Sequence, residues 1–181
     1  GADNTLTGGS GNDTLEGGLG NDRLDGGANV DTADYSYAVA NITATLSTAN
    51  ENPPITNAES GGRGDATITF DGPRDASGNF TGPVAVTFVV NLSGFPAGTP
   101  INIAHIHTGA TGVNGAVLVS TTLAAGEVVL ATGSGSFTKT ASGVDAAVAQ
   151  SIVNNPAGFY FNAHSTLNPT GVVRGQLVKV S

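Results

Sequence analysis

Apolar and polar residues alternate along most of this chain, and the places where alternation stops divide it. Val39, Asn41, Thr43 and Thr45 interleave with Ala40, Ile42, Ala44 and Leu46, which predicts a half-buried strand. A loop over residues 47–64, with Pro53-Pro54 and Gly61-Gly62, leads to a short β-branched strand at 66–71. Residues 84–92 (VAVTFVVNL) form the most continuous apolar run and predict a central strand. Residues 101–107 alternate again, placing Ile101, Ile103, His105 and His107 on one face and Asn102, Ala104 and Ile106 on the other. Strands are also predicted at 116–123, 127–132, 158–165 and 172–180, whereas 133–140 reads as a polar, Gly/Ser-rich extension. One helix is expected, opened by Ser142 with Asp145 as its capping partner. Val144, Val148 and Ile152 recur at helical spacing until Asn155-Pro156 ends it.

The first 36 residues follow another rhythm. Apolar positions are scarce there, and Leu15 and Leu24 stand nine residues apart within two nonapeptides, GGSGNDTLE (8–16) and GGLGNDRLD (17–25). Both read G-G-x-G-x-D-x-L-x, a calcium-binding repeat. The glycines allow positive φ and bring carbonyl oxygens together, the aspartate adds a hard carboxylate, and the leucine points inward from the strand that follows. Two partial repeats flank them in phase, GADNTLT before and GGANVDTAD after, the latter with Asn29 in a glycine position and Ala33 in the leucine position.

This stretch resembles the RTX family of parallel β-rolls, in which one turn of the coil takes two nonapeptides. The resemblance implies that Asp13 stacks on Asp31. One complete calcium shell would then come from Asp13 with the carbonyls of Gly9 and Gly11, closed by Gly26, Ala28 and Asp31. On the opposite side it implies a weaker site in which Asp22, Gly18 and Gly20 face Asn4 and Ala2.

Charge sharpens that expectation. The 181 residues carry a net charge of -8. Seven of the acids fall in the first 35 residues against Arg23 alone, a local charge of -6. Such a coil repels itself until a divalent cation neutralises it, so binding and folding are expected to be one event. The same balance argues against nucleic acid or an anionic membrane as partner, and no apolar run approaches the roughly 20 residues of a transmembrane helix. With no cysteine, disulfides and thiolate metal sites are excluded, and extracellular calcium would provide the cross-link. The chain starts part-way through a repeat without Met or a signal peptide, so it reads as a piece of a longer protein.

Three segments, ATLSTANENPP, AHIHTGATGVNG and GFYFNAHSTLNPTGVVRGQL, together resemble the CHRD domain, an extracellular β-rich module. Asn52 before Pro53-Pro54 and Val172-Val173 before Arg174 depart from the family's usual residues. The expected fold is therefore all-β. A short parallel β-roll with calcium loops over residues 1–36 precedes an antiparallel Greek-key β-sandwich, Ig-like or Cu/Zn superoxide dismutase-like, with one short helix, over 37–181.

Catalysis finds no Ser-His-Asp order, phosphate loop or supported acid pair. Arg63-Gly64-Asp65 spells an adhesion tripeptide, read here as a chance match beside a turn. The chemistry left over lies in three histidines. His105 and His107 project from one face of a strand, and His164 belongs to another strand that can be adjacent. They either hydrogen-bond backbone carbonyls and loop residues such as Thr108, or bind copper or zinc, for which the H-x-H pair resembles the copper ligands of Cu/Zn superoxide dismutases. Arg174 is expected to be a buried guanidinium that clamps loop carbonyls and Glu51, its mate, with an anion as the alternative partner. The functional expectation is a secreted or cell-surface calcium-binding structural or adhesive module, not an enzyme. Its roll would meet upstream repeats of the parent chain or another copy head-to-tail, giving filaments or matrix; the alternative is a copper or zinc protein using His105, His107 and His164.

Overall fold

A computed structural model describes residues 4–17, 22–34, 40–75 and 77–180. At the N-terminus four short strands, β1 (Thr5–Ser10), β2 (Thr14–Glu16), β3 (Arg23–Ala28) and β4 (Thr32–Asp34), form two parallel two-stranded sheets, β1 with β3 and β2 with β4. The register sets Leu6 beside Leu24 and Leu15 beside Ala33. Each pair is eighteen residues apart, so one turn of the coil consumes two nonapeptides. Leu6, Leu15 and Leu24 are half-buried while their neighbours are exposed, the period-2 pattern of a very small core.

The remaining strands build one antiparallel sheet of ten. They are β5 (Ala40–Ser47), β6 (Arg63–Asp71), β7 (Val84–Ser93), β8 (Thr99–Thr108), β9 (Val117–Ser120), β10 (Val128–Leu130), β11 (Gly135–Val144), β12 (Phe159–Ser165), β13 (Val173–Gln176) and β14 (Val178–Lys179). Their order is β10-β8-β12-β13-β5-β6-β7-β11, with β9 on β8 and β14 on β5. The two ends of that order, β10 and β11, approach each other, so the sheet curls nearly into a barrel. Its interior collects one face of every long strand: Ile42, Ala44 and Leu46 from β5, Ile68 and Phe70 from β6, Phe161 and Ala163 from β12. Phe88 of β7 meets Phe161 across the core with ring centroids 5.9 Å apart. Each such aromatic contributes about 1.5–3 kcal/mol through burial.

Several elements depart from the sequence reading. β7 is flanked on both sides, as a central strand should be, but it alternates: Val84, Val86, Phe88, Val90 and Leu92 are buried while Val89 is 41 % exposed. Its outward face, with Thr87, Val89 and Asn91, suits a pleated surface rather than a second core. The polar stretch expected as an extension is instead β11, ten residues paired along β7, with Phe137 and Ala141 inward and hydroxyls outward. The helix α1 (Ala146–Asn154) starts later than expected. Asp145 is itself the N-cap, its carboxylate accepting from the backbone N–H of Ala147 at 2.8 Å and of Val148 at 3.2 Å. Arg63-Gly64-Asp65 opens β6 between β5 and β7, in extended backbone, and the Asp65 carboxylate accepts from the Asn91 amide.

β8 carries the most consequential difference. Its pairing with β12 runs from Thr108 opposite Phe159 to Ile103 opposite His164, then shifts so that Ile101 lies opposite Ser165. That irregularity at Asn102 reverses the alternation. Ile103 is exposed beside the histidines, whereas Ile101 turns into the core with Ala104 and Ile106.

Candidate functional site

In the roll, backbone geometry follows the glycines. Gly9, Gly11 and Gly27 have φ of 98°, 122° and 90°, and Asn29, standing in a glycine position, has φ of 86°. Asparagine tolerates that left-handed region better than other side chains, so the third repeat keeps its turn. The repeats are also tied loop to loop at the eighteen-residue spacing. Asp13 donates its backbone N–H to Asp31 Oδ1 at 3.0 Å, Asn4 to Asp22 Oδ1 at 2.8 Å, and Val30 to Asn12 Oδ1 at 3.1 Å. The other oxygen of Asp13, Oδ2, is buried without a hydrogen-bond partner. Leaving a carboxylate oxygen so placed costs free energy unless a cation or donor joins it. An acidic loop with an orphaned carboxylate oxygen fits a hard divalent ion.

The second candidate lies on the outer face of the large sheet. Register places Asn162 of β12 between His105 of β8 and Arg174 of β13, and Tyr160 between His107 and Gln176, so all of these side chains share one side. His164 sits diagonally from His105 on that side. Three loops roof the face. Arg174, only 2 % exposed, donates to Asn114 Oδ1 at 3.0 Å and to the carbonyls of Ala110 at 3.2 Å and Val113 at 2.6 Å, fixing the loop over residues 109–116. Its guanidinium also stacks over Tyr160 at 3.4 Å from the ring centroid, and Tyr160 in turn stacks on His107 at 4.9 Å. Asn52 and Asn114 exchange amide hydrogen bonds with the opposite loop's backbone, to Gly112 O and Asn52 O respectively. Glu59 holds the loop ends together, accepting from Ser165 Oγ and Asn168 Nδ2 at 2.5 Å each.

Beneath the roof lies a cavity of about 380 Å³, lined by Glu51, Asn162 and His107 among others. Glu51 is 8 % exposed. Burial pushes its carboxyl up to about 7, against the opposing pull of the Arg174 charge and a hydrogen bond from Asn162. Arg174 does not serve as its hydrogen-bonded mate, because the guanidinium is spent on the 109–116 loop. Glu51 Oε1, Asn162 Oδ1 and His107 Nε2 are all buried acceptors without a partner. A Cβ on Gly171 would lie 2.6 Å from Asn162 Nδ2 and 2.9 Å from Glu51 Oε1, so only glycine lets the third loop close over this pair.

The histidines do come together, as the sequence allowed. Their ring nitrogens lie within 4.8 Å of one another. His107 Nδ1 is 3.0 Å from Gly115 O, His164 Nδ1 is 3.0 Å from Pro169 O, and His105 Nδ1 is 3.3 Å from His164 Nε2. Burial and the neighbouring imidazoles push His105 down to about 4, and burial likewise lowers His107 and His164. All three are neutral at neutral pH.

The CHRD domain family model matches residues 42–177, which takes in all of this roofed sheet except the first two residues of β5 and the short β14. The chain belongs to the CHRD domain family. Ahead of that domain, the model of the RTX calcium-binding nonapeptide repeat (4 copies) matches residues 1–33. No curated protein and no solved structure matches the chain.

The two families stand in the order read from the sequence, and the RTX repeats imply a calcium-binding segment. Of the expected calcium ligands, Asp13, Asp31, Asp22, Asn4, Gly9, Gly11, Gly26 and Ala28 lie in the loops and strands just described, while Gly18, Gly20 and Ala2 lie outside the described residues. In the CHRD domain, Glu59, Asn168 and Tyr160 escaped the sequence reading. Their roles depend on contacts more than a hundred residues apart in Glu59 and Asn168, and only the topology reveals such partners.

Proposed function

We propose that this chain is a secreted, calcium-ordered structural or adhesive module, with the RTX roll of residues 1–36 joined to the CHRD domain of residues 37–181. The observation that carries this reading is the buried, unpartnered Oδ2 of Asp13 beside the Asp31 loop, eighteen residues on. Asp13, Asp31 and the carbonyls of Gly9, Gly11, Gly26 and Ala28 would supply the hard oxygen shell calcium requires, and Asp22 with Asn4, Gly18 and Gly20 a weaker one. Calcium neutralises a segment whose local charge is -6, so ordering is coupled to binding. Outside cells calcium is abundant enough to keep such a site filled. No helix among the described residues is long and apolar enough to cross a membrane.

Assembly is the second half of the proposal. Each sheet of the roll has only two strands, so among the described residues β1 and β3 each have one long edge without a strand partner. Repeats from upstream in the parent chain, or from another copy, would extend these ladders in the same eighteen-residue register. A head-to-tail contact of this kind does not close on itself and gives a filament.

Circular dichroism and calorimetry of the full chain, with calcium and then with EGTA, test the ordering. Light scattering under the same conditions tests assembly. Heat of binding with a calcium-dependent gain of β-structure supports the module; no calcium heat, or scattering unchanged by EGTA, removes the corresponding half.

A further inference from the structure

Under the roof of the CHRD domain, the outer-face histidines have an organisation that backbone hydrogen bonding alone does not account for. His107 and His164 each direct Nδ1 at a main-chain carbonyl 3.0 Å away, of Gly115 and Pro169. A carbonyl can only accept, so both neutral rings carry their hydrogen on Nδ1 and present a lone pair at Nε2. His164 Nε2 is then the acceptor for His105, whose Nδ1 carries a hydrogen across 3.3 Å. His107 Nε2 has no partner at all, though it is buried. Two imidazoles are thus locked as acceptors facing inward, a tautomer set by backbone carbonyls in the manner of outer partners of metal-bound histidine.

We propose that His105 Nδ1, His107 Nε2 and His164 Nε2 form a binding site for a first-row divalent transition metal, zinc or copper, with its fourth position open to the cavity. The spacing suits such an ion. A tetrahedral metal with metal–nitrogen bonds of about 2.0–2.1 Å has nitrogens about 3.3–3.4 Å apart, close to the 3.3 Å already separating His105 and His164. One ring nitrogen of each histidine lies within 4.8 Å of one from each of the others, so the remaining separations close by small side-chain shifts. Binding requires His105 to move its hydrogen from Nδ1 to Nε2, a tautomer shift through solvent that leaves the ring neutral. Three imidazoles without thiolate or a fourth side chain match the pattern of metal sites that keep an exchangeable position. His107 lines the cavity of about 380 Å³ whose wall also carries Glu51 and Asn162, which gives that position room for water or a small anion. None of these residues belongs to the calcium repeats, so the site is independent of the roll.

The experiment uses the full chain, stripped with a chelator and returned to excess calcium so that the roll's carboxylates are occupied. Zinc titration by calorimetry is expected to give one site per chain. His105→Gln and His164→Gln, each checked for an unchanged circular dichroism spectrum, are expected to weaken it by at least about tenfold. Because a variant can fail to fold, cobalt is added to the unsubstituted protein as well. Intense visible absorption of a tetrahedral ion is expected, shifting when azide enters the open position. Zinc bound equally well by both folded single variants, or no zinc site and no tetrahedral cobalt spectrum in the unsubstituted chain, overturns the proposal.

Discussion

The backbone N–H of Asp13 donates to Oδ1 of Asp31 at 3.0 Å, while the second oxygen of Asp13 is buried and unpaired. One contact thus joins successive turns of the roll and holds two carboxylates in neighbouring loops. Without a cation, both charges and the orphaned oxygen oppose the fold. Asp31→Asn keeps a carbonyl oxygen able to accept from Asp13 but removes one negative charge from the site. Calcium affinity is expected to fall by at least about tenfold, or roughly 1.4 kcal/mol, read by calorimetry on the full chain. Unaltered affinity would place calcium elsewhere.

Gly26 tests the same loop by shape rather than charge. A Cβ there would run into the Asp31 carboxylate, whose oxygen and carbons fold directly over the glycine. Gly26→Ala alters no charge and no proposed ligand type, yet the carboxylate must move out of its position. The calcium-induced gain of β-structure is expected to be lost or to need a much higher calcium concentration. A circular dichroism titration identical to that of the parent chain would show that the loop does not close as described.

Much of this architecture is legible in the sequence, for identifiable reasons. The nine-residue period announces the roll because each repeat is a complete local instruction: glycines for the turn, aspartate for the ion, leucine for the core. Ile42, Ala44 and Leu46 declare their face by alternation. What stayed hidden depends on partners distant in sequence. β11 looked like a polar extension because Phe137 and Ala141 are its only buried apolar side chains, and β7 supplies the rest of its support. The shift at Asn102 could not be seen because alternation assumes an unbroken pleat. Ser142 is an equally good capping residue in isolation, so the sequence alone does not single out Asp145 as the start of the helix.

Arg174 is the buried guanidinium that the sequence suggests and it clamps loop carbonyls as expected, whereas Glu51 is not among its hydrogen-bond partners. Arg174 contributes three hydrogen bonds to the 109–116 loop and a stacked contact to Tyr160 at 2 % exposure. Lysine keeps the charge but has no planar fork to reach all three oxygens and no flat face for the ring. Arg174→Lys is therefore expected to cost at least about 3 kcal/mol, since hydrogen bonds to a charged group contribute about 1.5–3 kcal/mol each. Thermal unfolding should show a drop of about 6–12 °C. A smaller loss than about 1 kcal/mol would mean that the loop is held by its backbone alone.

Glu51 makes the stability of the CHRD domain depend on pH in an unusual direction. Its carboxyl titrates near 4.5 when exposed and at about 7 in the fold, because burial outweighs the Arg174 charge and the Asn162 hydrogen bond. A raised carboxyl pKa gives stability that is fully present below pH 4.5 and lost as pH rises through 7. The integrated loss is roughly 3 kcal/mol. The histidines act in the opposite sense over part of this range: burial lowers their pKa values, so their contribution is lost as pH falls. Comparing the parent with Glu51→Gln in chelator cancels that common term, since the amide is close in shape to the protonated acid and never ionises. At pH 5 the two proteins should unfold at similar urea concentrations. By pH 8 the glutamine variant should be the more stable, by roughly 2–3 kcal/mol after allowing for partial solvation of the carboxylate. An equal gap at both pH values would show that Glu51 is ionised throughout, and the cavity would then be a wetter, more open space than its lining suggests.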